Sequence, residues 1–296
     1  MNIFEKKYRA QELVKQFRER GAQARRPEDC VKDSIWLNVC RNKVADGLDA
    51  RILDPNKINQ SKTNVCGIAA FVRDWAEDDP IAYAWLGISL YEAGWGRIGR
   101  GKMLGKEVRP SSHLRSSPIP YQENYYGNGH AKEMNHADWI VLASIRESFN
   151  NVFAYTANDP LEMVSGMTLP SEVVKTFKAA GYTSVVDKTN WALGEGFDNV
   201  QEASSRFKNK EKVVLLINMR MLKDSTIDTE AAVVRTSDHW VGLLSPIELK
   251  LSGTGYRVSG FDVFTWGEKR RVPQTTTDFA FTAFLKNYYG FIAAKY

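Results

Sequence analysis

The chain has 296 residues, 43% of them hydrophobic and 25% charged, and 40 basic against 35 acidic side chains leave a formal charge of +5. That length can bury a sizeable core in one large domain or two small ones, without a disulfide or metal staple. The charge is too balanced to argue for nucleic acid. No apolar run approaches the roughly 20 residues of a membrane span, and "MNIFEKKYRAQ" lacks the apolar segment of a cleavable signal. The expectation is a protein made in the cytoplasm and, where it acts elsewhere, exported by a secretion system.

Residues 3 to 26 carry a charged helical pattern that includes the basic stretch "EKKYRAQELVKQFRERGAQARR", with a turn at Arg26-Pro27. A second helical piece is expected around "DSIWLNVCRNKVADGL". Together they predict an N-terminal helical extension over residues 1–50, ahead of a body spanning 51–296. The body opens with "CGIAAFVRDWAEDDPIAYAWLGISLYEAG", which reads as two helices broken at Asp79-Pro80 and ended by Gly94. From there to about residue 130 the sequence is rich in Gly, Ser, Pro and Arg, and predicts an irregular insertion that serves as a lid or binding loop. Its "GRIGRGKMLGK" lacks the spacing of a phosphate loop and no strand precedes it.

Helices resume at "HADWIVLASIRESFNNVFAY" and at "LPSEVVKTFKAAGY", the latter framed by Pro170 and Gly181. Four apolar runs follow: "KVVLLINMRML", "HWVGLLSPIELKL", "GYRVSGFDVFTWG" and "FAFTAFLKNYYGFIAAKY". The turn "SGTG" between the middle pair signals a hairpin. Helices first and an antiparallel sheet second is the α+β pattern.

The three cysteines, Cys30, Cys40 and Cys66, show no CxxC spacing, so no metal site and no cofactor is expected. Cys30 and Cys40 could pair, but buried thiols are the expectation at this chain length. Cys66 differs in its setting: it precedes an apolar-periodic helix. A thiol attacks a carbonyl only as thiolate, and both a helix N-terminus and an imidazolium stabilise that form.

Of the four histidines, His113 and His130 fall in the irregular insertion, and His136 at a helix start reads as a surface or capping residue. His239 opens the apolar strand "HWVGLLS" and is the candidate general base. Its orienting acceptor is expected to be Asp262 on the next strand rather than Asp238, since strand neighbours point to opposite faces. The Cys66 backbone N–H and the Gln60 side-chain amide are the candidate oxyanion donors.

Gln60 six residues before Cys66, the helix Cys66 opens, the later His239, and Asp262 23 residues beyond it form an ordered set. That set resembles the papain-like cysteine protease superfamily, and "FD" shortly before a Gly resembles its bacterial leader-peptide-processing and secreted effector branches. The "TWG" at Thr265–Gly267 resembles the Ser-Trp-Gly that follows papain's orienting asparagine; aligning on it sets Phe264 at that position, which cannot serve. The resemblance implies a papain-like fold, an N-terminal helical lobe packed on a C-terminal antiparallel sheet. It also implies a thiol-dependent amide hydrolase acting on a protein or peptidoglycan-peptide substrate, in the setting of a secreted effector or toxin with a cognate inhibitor protein. The same triad would serve a transglutaminase, acyltransferase or deamidase, and a non-catalytic binding module on that scaffold is a further alternative.

Overall fold

The computed structural model describes residues 1–21, 30, 32–61, 63–100, 105–122, 132–149, 168–190, 193–222, 239–253, 255–274 and 278–296. They form two units, one of residues 1–168 with 179–181, the other of residues 169–178 with 182–296. The chain is mixed helix and sheet, and every strand pairing among the described residues is antiparallel.

In the first unit, α1 (Ile3–Arg20) starts at a capping box in which Asn2 and Glu5 satisfy each other's backbone N–H. Its apolar stripe of Ala10, Val14 and Phe17 is fully buried against α2 (Arg41–Leu53) and α4 (Pro80–Ala93). Two lysines of the basic stretch are structural. Lys7 Nζ donates to the Leu53 carbonyl (2.9 Å) and Lys6 Nζ to the Asp78 carbonyl (2.8 Å), supplying cations to the C-terminal ends of two helices. Arg41 lies over the Phe17 ring and pairs with Asp33 and Glu92. The described residues of this N-terminal stretch belong to the same unit as the helices that follow, with α1 packed on α2 and α4.

The break between α3 (Cys66–Asp78) and α4 falls at Asp79-Pro80, as the sequence predicts. Asp79 caps α4 through the Ala82 N–H, and Gly94 ends it at φ +70°. Among its described residues the insertion is more regular than expected. It holds the hairpin of β1 (Gly96–Ile98) with β2 (Lys106–Val108), the short helix α5 (Ser112–Ser116), and β3 (Tyr121–Gln122) paired with β4 (Lys132–Glu133). A continuous helix follows in three pieces: α6 (His136–Asp138), a π-helical turn (Trp139–Ala143) and α7 (Ser144–Phe149).

Cys30 and Cys40 form a disulfide, correcting the expectation of two buried thiols. Asp33, between the two cysteines, accepts from Arg41 Nε in the first turn of α2, and Cys40 is that helix's N-cap residue. No described helix is long and apolar enough to cross a membrane.

The second unit opens with α8 (Pro170–Ala179), all but its last residue, followed by β5 (Thr183–Thr189) and α9 (Phe197–Lys208). Its strands are β6 (Lys212–Ile217), β7 (His239–Leu243), β8 (Glu248–Ser252), β9 (Gly255–Thr265), β10 (Glu268–Val272), β11 (Phe279–Ala280) and β12 (Tyr288–Lys295), with helix α10 (Phe281–Leu285) before the last. The sheet order is β10-β9-β7-β6-β12-β5, and β8 and β11 flank the first half of β9. Two of the apolar runs are cut shorter than expected: "NMRML" leaves β6 for a 3₁₀ turn at Met219–Leu222, and Ser245-Pro246 separates β7 from β8. Val213, Leu215 and Ile217 of β6 pack with Val200 and Ala203 of α9, Val241 and Leu243 of β7, and Phe291 of β12. Their alternates Val214, Leu216 and Trp240 are buried too, so the central strands are covered on both faces.

Candidate functional site

Cys66 and Gln60 belong to the first unit, His239 and Asp262 to the second. Cys66 is the first residue of α3 and 5% exposed. Val65, the residue before it, has no oxygen with which to cap the helix, so none of the first-turn N–H groups is satisfied by an N-cap side chain. The N-terminal end of the helix dipole places positive potential beside the sulfur.

The loop leading to Cys66 is held at several points. Asp54 caps the 3₁₀ turn Pro55–Lys57 through the Asn56 N–H, and Asn56 Oδ1 accepts from Arg73 Nε of α3 (3.1 Å). Asn59 Oδ1 accepts from the Ser61 N–H (2.7 Å), and Ser61 sits at φ +56°, a region that non-glycine residues rarely occupy. The Gln60 carbonyl accepts from both the N–H and the hydroxyl of Thr63. Gln60 itself is buried, and its side-chain amide makes no hydrogen bond among the described residues. Both candidate oxyanion donors, the Cys66 N–H and the Gln60 amide, thus come from a single braced segment.

His239 is the first residue of β7 and pairs in register with Ile217. Its Nε2 lies 2.8 Å from Thr265 Oγ1, and its ring stacks on the Trp266 indole at 4.5 Å between centres and 21° between planes. Burial, with the Arg270 charge adding to it, pushes the imidazole pKa down to about 3. At neutral pH His239 is therefore uncharged. In the tautomer that carries its proton on Nε2, that nitrogen donates to Thr265 Oγ1 and Nδ1 keeps a lone pair.

Trp266 and Gly267 form the two-residue turn between β9 and β10, with φ of +45° and +79° and Thr265 paired to Glu268. Such turns favour Asn-Gly because both central residues need positive φ. A tryptophan held there is strained, and its indole carries His239 on its ring while the Arg270 guanidinium lies 5.4 Å from the ring centre.

Asp262 does not meet His239, which corrects the expected triad. The Asp262 carbonyl accepts from the Leu244 N–H, placing it opposite the end of β7, five residues from His239. At ~3.3 Å per strand residue that separates the two by well over 10 Å. The Asp262 carboxylate is exposed and faces Arg271 at 3.4 Å. Thr265 supplies the hydrogen bond instead. The signal for it was present in "TWG", whose alignment missed the acceptor by one residue.

The other histidines fall elsewhere. His113 is exposed in α5, and His130 and Asp238 lie outside the described residues. His136 is 3% exposed, contrary to a surface reading: its Nδ1 accepts from the Cys40 N–H (3.0 Å) and its Nε2 lies 3.0 Å from Glu133. Among the described residues no cluster of His, Cys, Asp and Glu could hold a metal.

Comparison with known protein families, curated proteins and solved structures finds no match to this chain.

Proposed function

We propose that the protein is a thiol-dependent amide hydrolase on a papain-like α+β scaffold, with Cys66 as nucleophile and His239 as general base. Gln60 and the Cys66 N–H are the oxyanion donors, and Thr265 orients the imidazole. The observation that carries the reading is Cys66 at the first position of α3, behind a loop braced by the Asn59–Ser61 and Asn56–Arg73 hydrogen bonds. In this reading His239 takes the thiol proton and the thiolate attacks the carbonyl. The protonated imidazole then passes its proton to the leaving amine, and water releases the acyl-enzyme.

The substrate class is a host or rival protein, or a peptidoglycan peptide, in the setting of an exported effector or toxin held in check by a cognate inhibitor. The Cys30–Cys40 disulfide supports action outside a reducing cytoplasm. Transfer to an amine, or attack on a glutamine side chain, would use the same acyl-enzyme.

A second reading, a binding module without catalysis, is favoured by the low basicity of His239 and by its partner being a hydroxyl rather than a carboxylate. One experiment separates them. Wild type and Cys66→Ala are incubated with a complex lysate and with peptidoglycan, and new termini and released ammonia are identified by mass spectrometry. Products formed by wild type and absent with a folded Cys66→Ala variant are expected. Identical product profiles from the two proteins would remove the enzyme reading.

A further inference from the structure

Arg51 in α2 and Asp138 in α6 form a bidentate ion pair, Nε–Oδ1 at 2.8 Å and Nη2–Oδ2 at 2.5 Å, with side chains 8% and 1% exposed. A buried pair of this kind is often no more stabilising than apolar residues of the same volume. Here the second carboxylate oxygen also holds the backbone of the neighbouring loop, since Asp138 Oδ2 accepts from the Asn59 N–H at 3.0 Å. The residue so held directly precedes Gln60. On the far side the Asn59 side chain folds onto the Ser61 N–H, with Ser61 in its left-handed conformation. The helix widens into its π-helical turn at the residue after Asp138, a distortion frequent at functional sites.

We propose that Asp138 is a positioning residue: clamped by Arg51, its carboxylate fixes the Asn59–Gln60 backbone so that the Gln60 amide is presented as an oxyanion donor. The inference rests on the reading given under Proposed function and adds what holds the donor in place. The carboxylate does not touch the reacting atoms. It acts only through Gln60, so its effect must disappear when Gln60 is removed.

The test is a double-mutant cycle on Gln60→Ala and Asp138→Asn with two probes. p-Nitrophenyl acetate acylates Cys66: the thiolate adds to the carbonyl, p-nitrophenolate leaves, and the oxyanion donors are needed. Iodoacetamide alkylates the same sulfur with loss of iodide and forms no oxyanion. Gln60→Ala is expected to slow acylation about 100-fold, and Asp138→Asn at least about 10-fold. In the Gln60→Ala background Asp138→Asn should change acylation less than about 2-fold, and alkylation should be unchanged in all three variants. Arg51→Lys, which keeps a cation but loses the bidentate pairing, is expected to show the same pattern more weakly and carries the test should Asp138→Asn not fold. Additive losses, or equal losses of acylation and alkylation, would overturn the positioning role. Unchanged acylation in Gln60→Ala would instead overturn the oxyanion assignment, and the inference with it.

Discussion

His239 makes a specific demand on the acid stability of this protein. Its folded pKa of about 3 lies below the ordinary value of 6.5, because charging a buried imidazole beside Arg270 is unfavourable. Between those values the unfolded chain binds a proton that the folded chain does not, so stability rises with pH across the window. The contribution is fully present above about pH 6.5 and is lost as pH falls toward 3. At pH 5 the imbalance amounts to about 2 kcal/mol relative to neutral pH, from ~1.4 kcal/mol for each pH unit below 6.5. His239→Gln keeps an amide that can bond Thr265 and removes the titration. Urea unfolding at pH 7 and pH 5, followed by tryptophan fluorescence, gives the stability of each protein at each pH. Other groups titrate in both proteins, so the difference isolates His239. Wild type should lose about 2 kcal/mol more than the variant on going to pH 5. Equal losses would refute the burial of a neutral imidazole.

The Cys30–Cys40 link spans 10 residues, and chain-entropy reasoning assigns it about 3 kcal/mol. Replacing both cysteines by serine should lower the calorimetric melting temperature by roughly 6–12 °C, given ~2–4 °C per kcal/mol in a domain of this size; a change under about 2 °C would argue against the bond. Trp266→Asn places a favoured residue in the positive-φ turn while stripping the ring from His239. Stability should change by less than ~1 kcal/mol, and the imidazole pKa, followed by NMR, should move up toward 6.5. An unmoved pKa would show that the indole does not shield the ring.

Much of the local structure was legible in the amino-acid order. Asp79-Pro80 and Gly94 mark helix ends because proline lacks an N–H and glycine tolerates positive φ. "SGTG" marks a hairpin, and the apolar runs from Lys212 onward mark buried strands. These are properties of a few neighbouring residues, and so is the pairing of a cysteine with a helix start in Cys66. Register is not such a property. Whether Asp262 or Thr265 reaches His239 depends on where the Trp266-Gly267 turn closes and where Ser245-Pro246 interrupts the partner strand. Shifting a pairing changes every neighbour without changing the hydrophobic pattern visible in the sequence.

The disulfide, the burial of His136 and the clamp of Asp138 on Asn59 likewise join residues ten to nearly a hundred positions apart. Amino-acid order alone marks where elements begin and end, and that a cysteine opens a helix and a histidine a strand. Which side chains meet within a unit could not be read there, because long-range proximity follows from packing whole elements together and leaves no mark on any one of them.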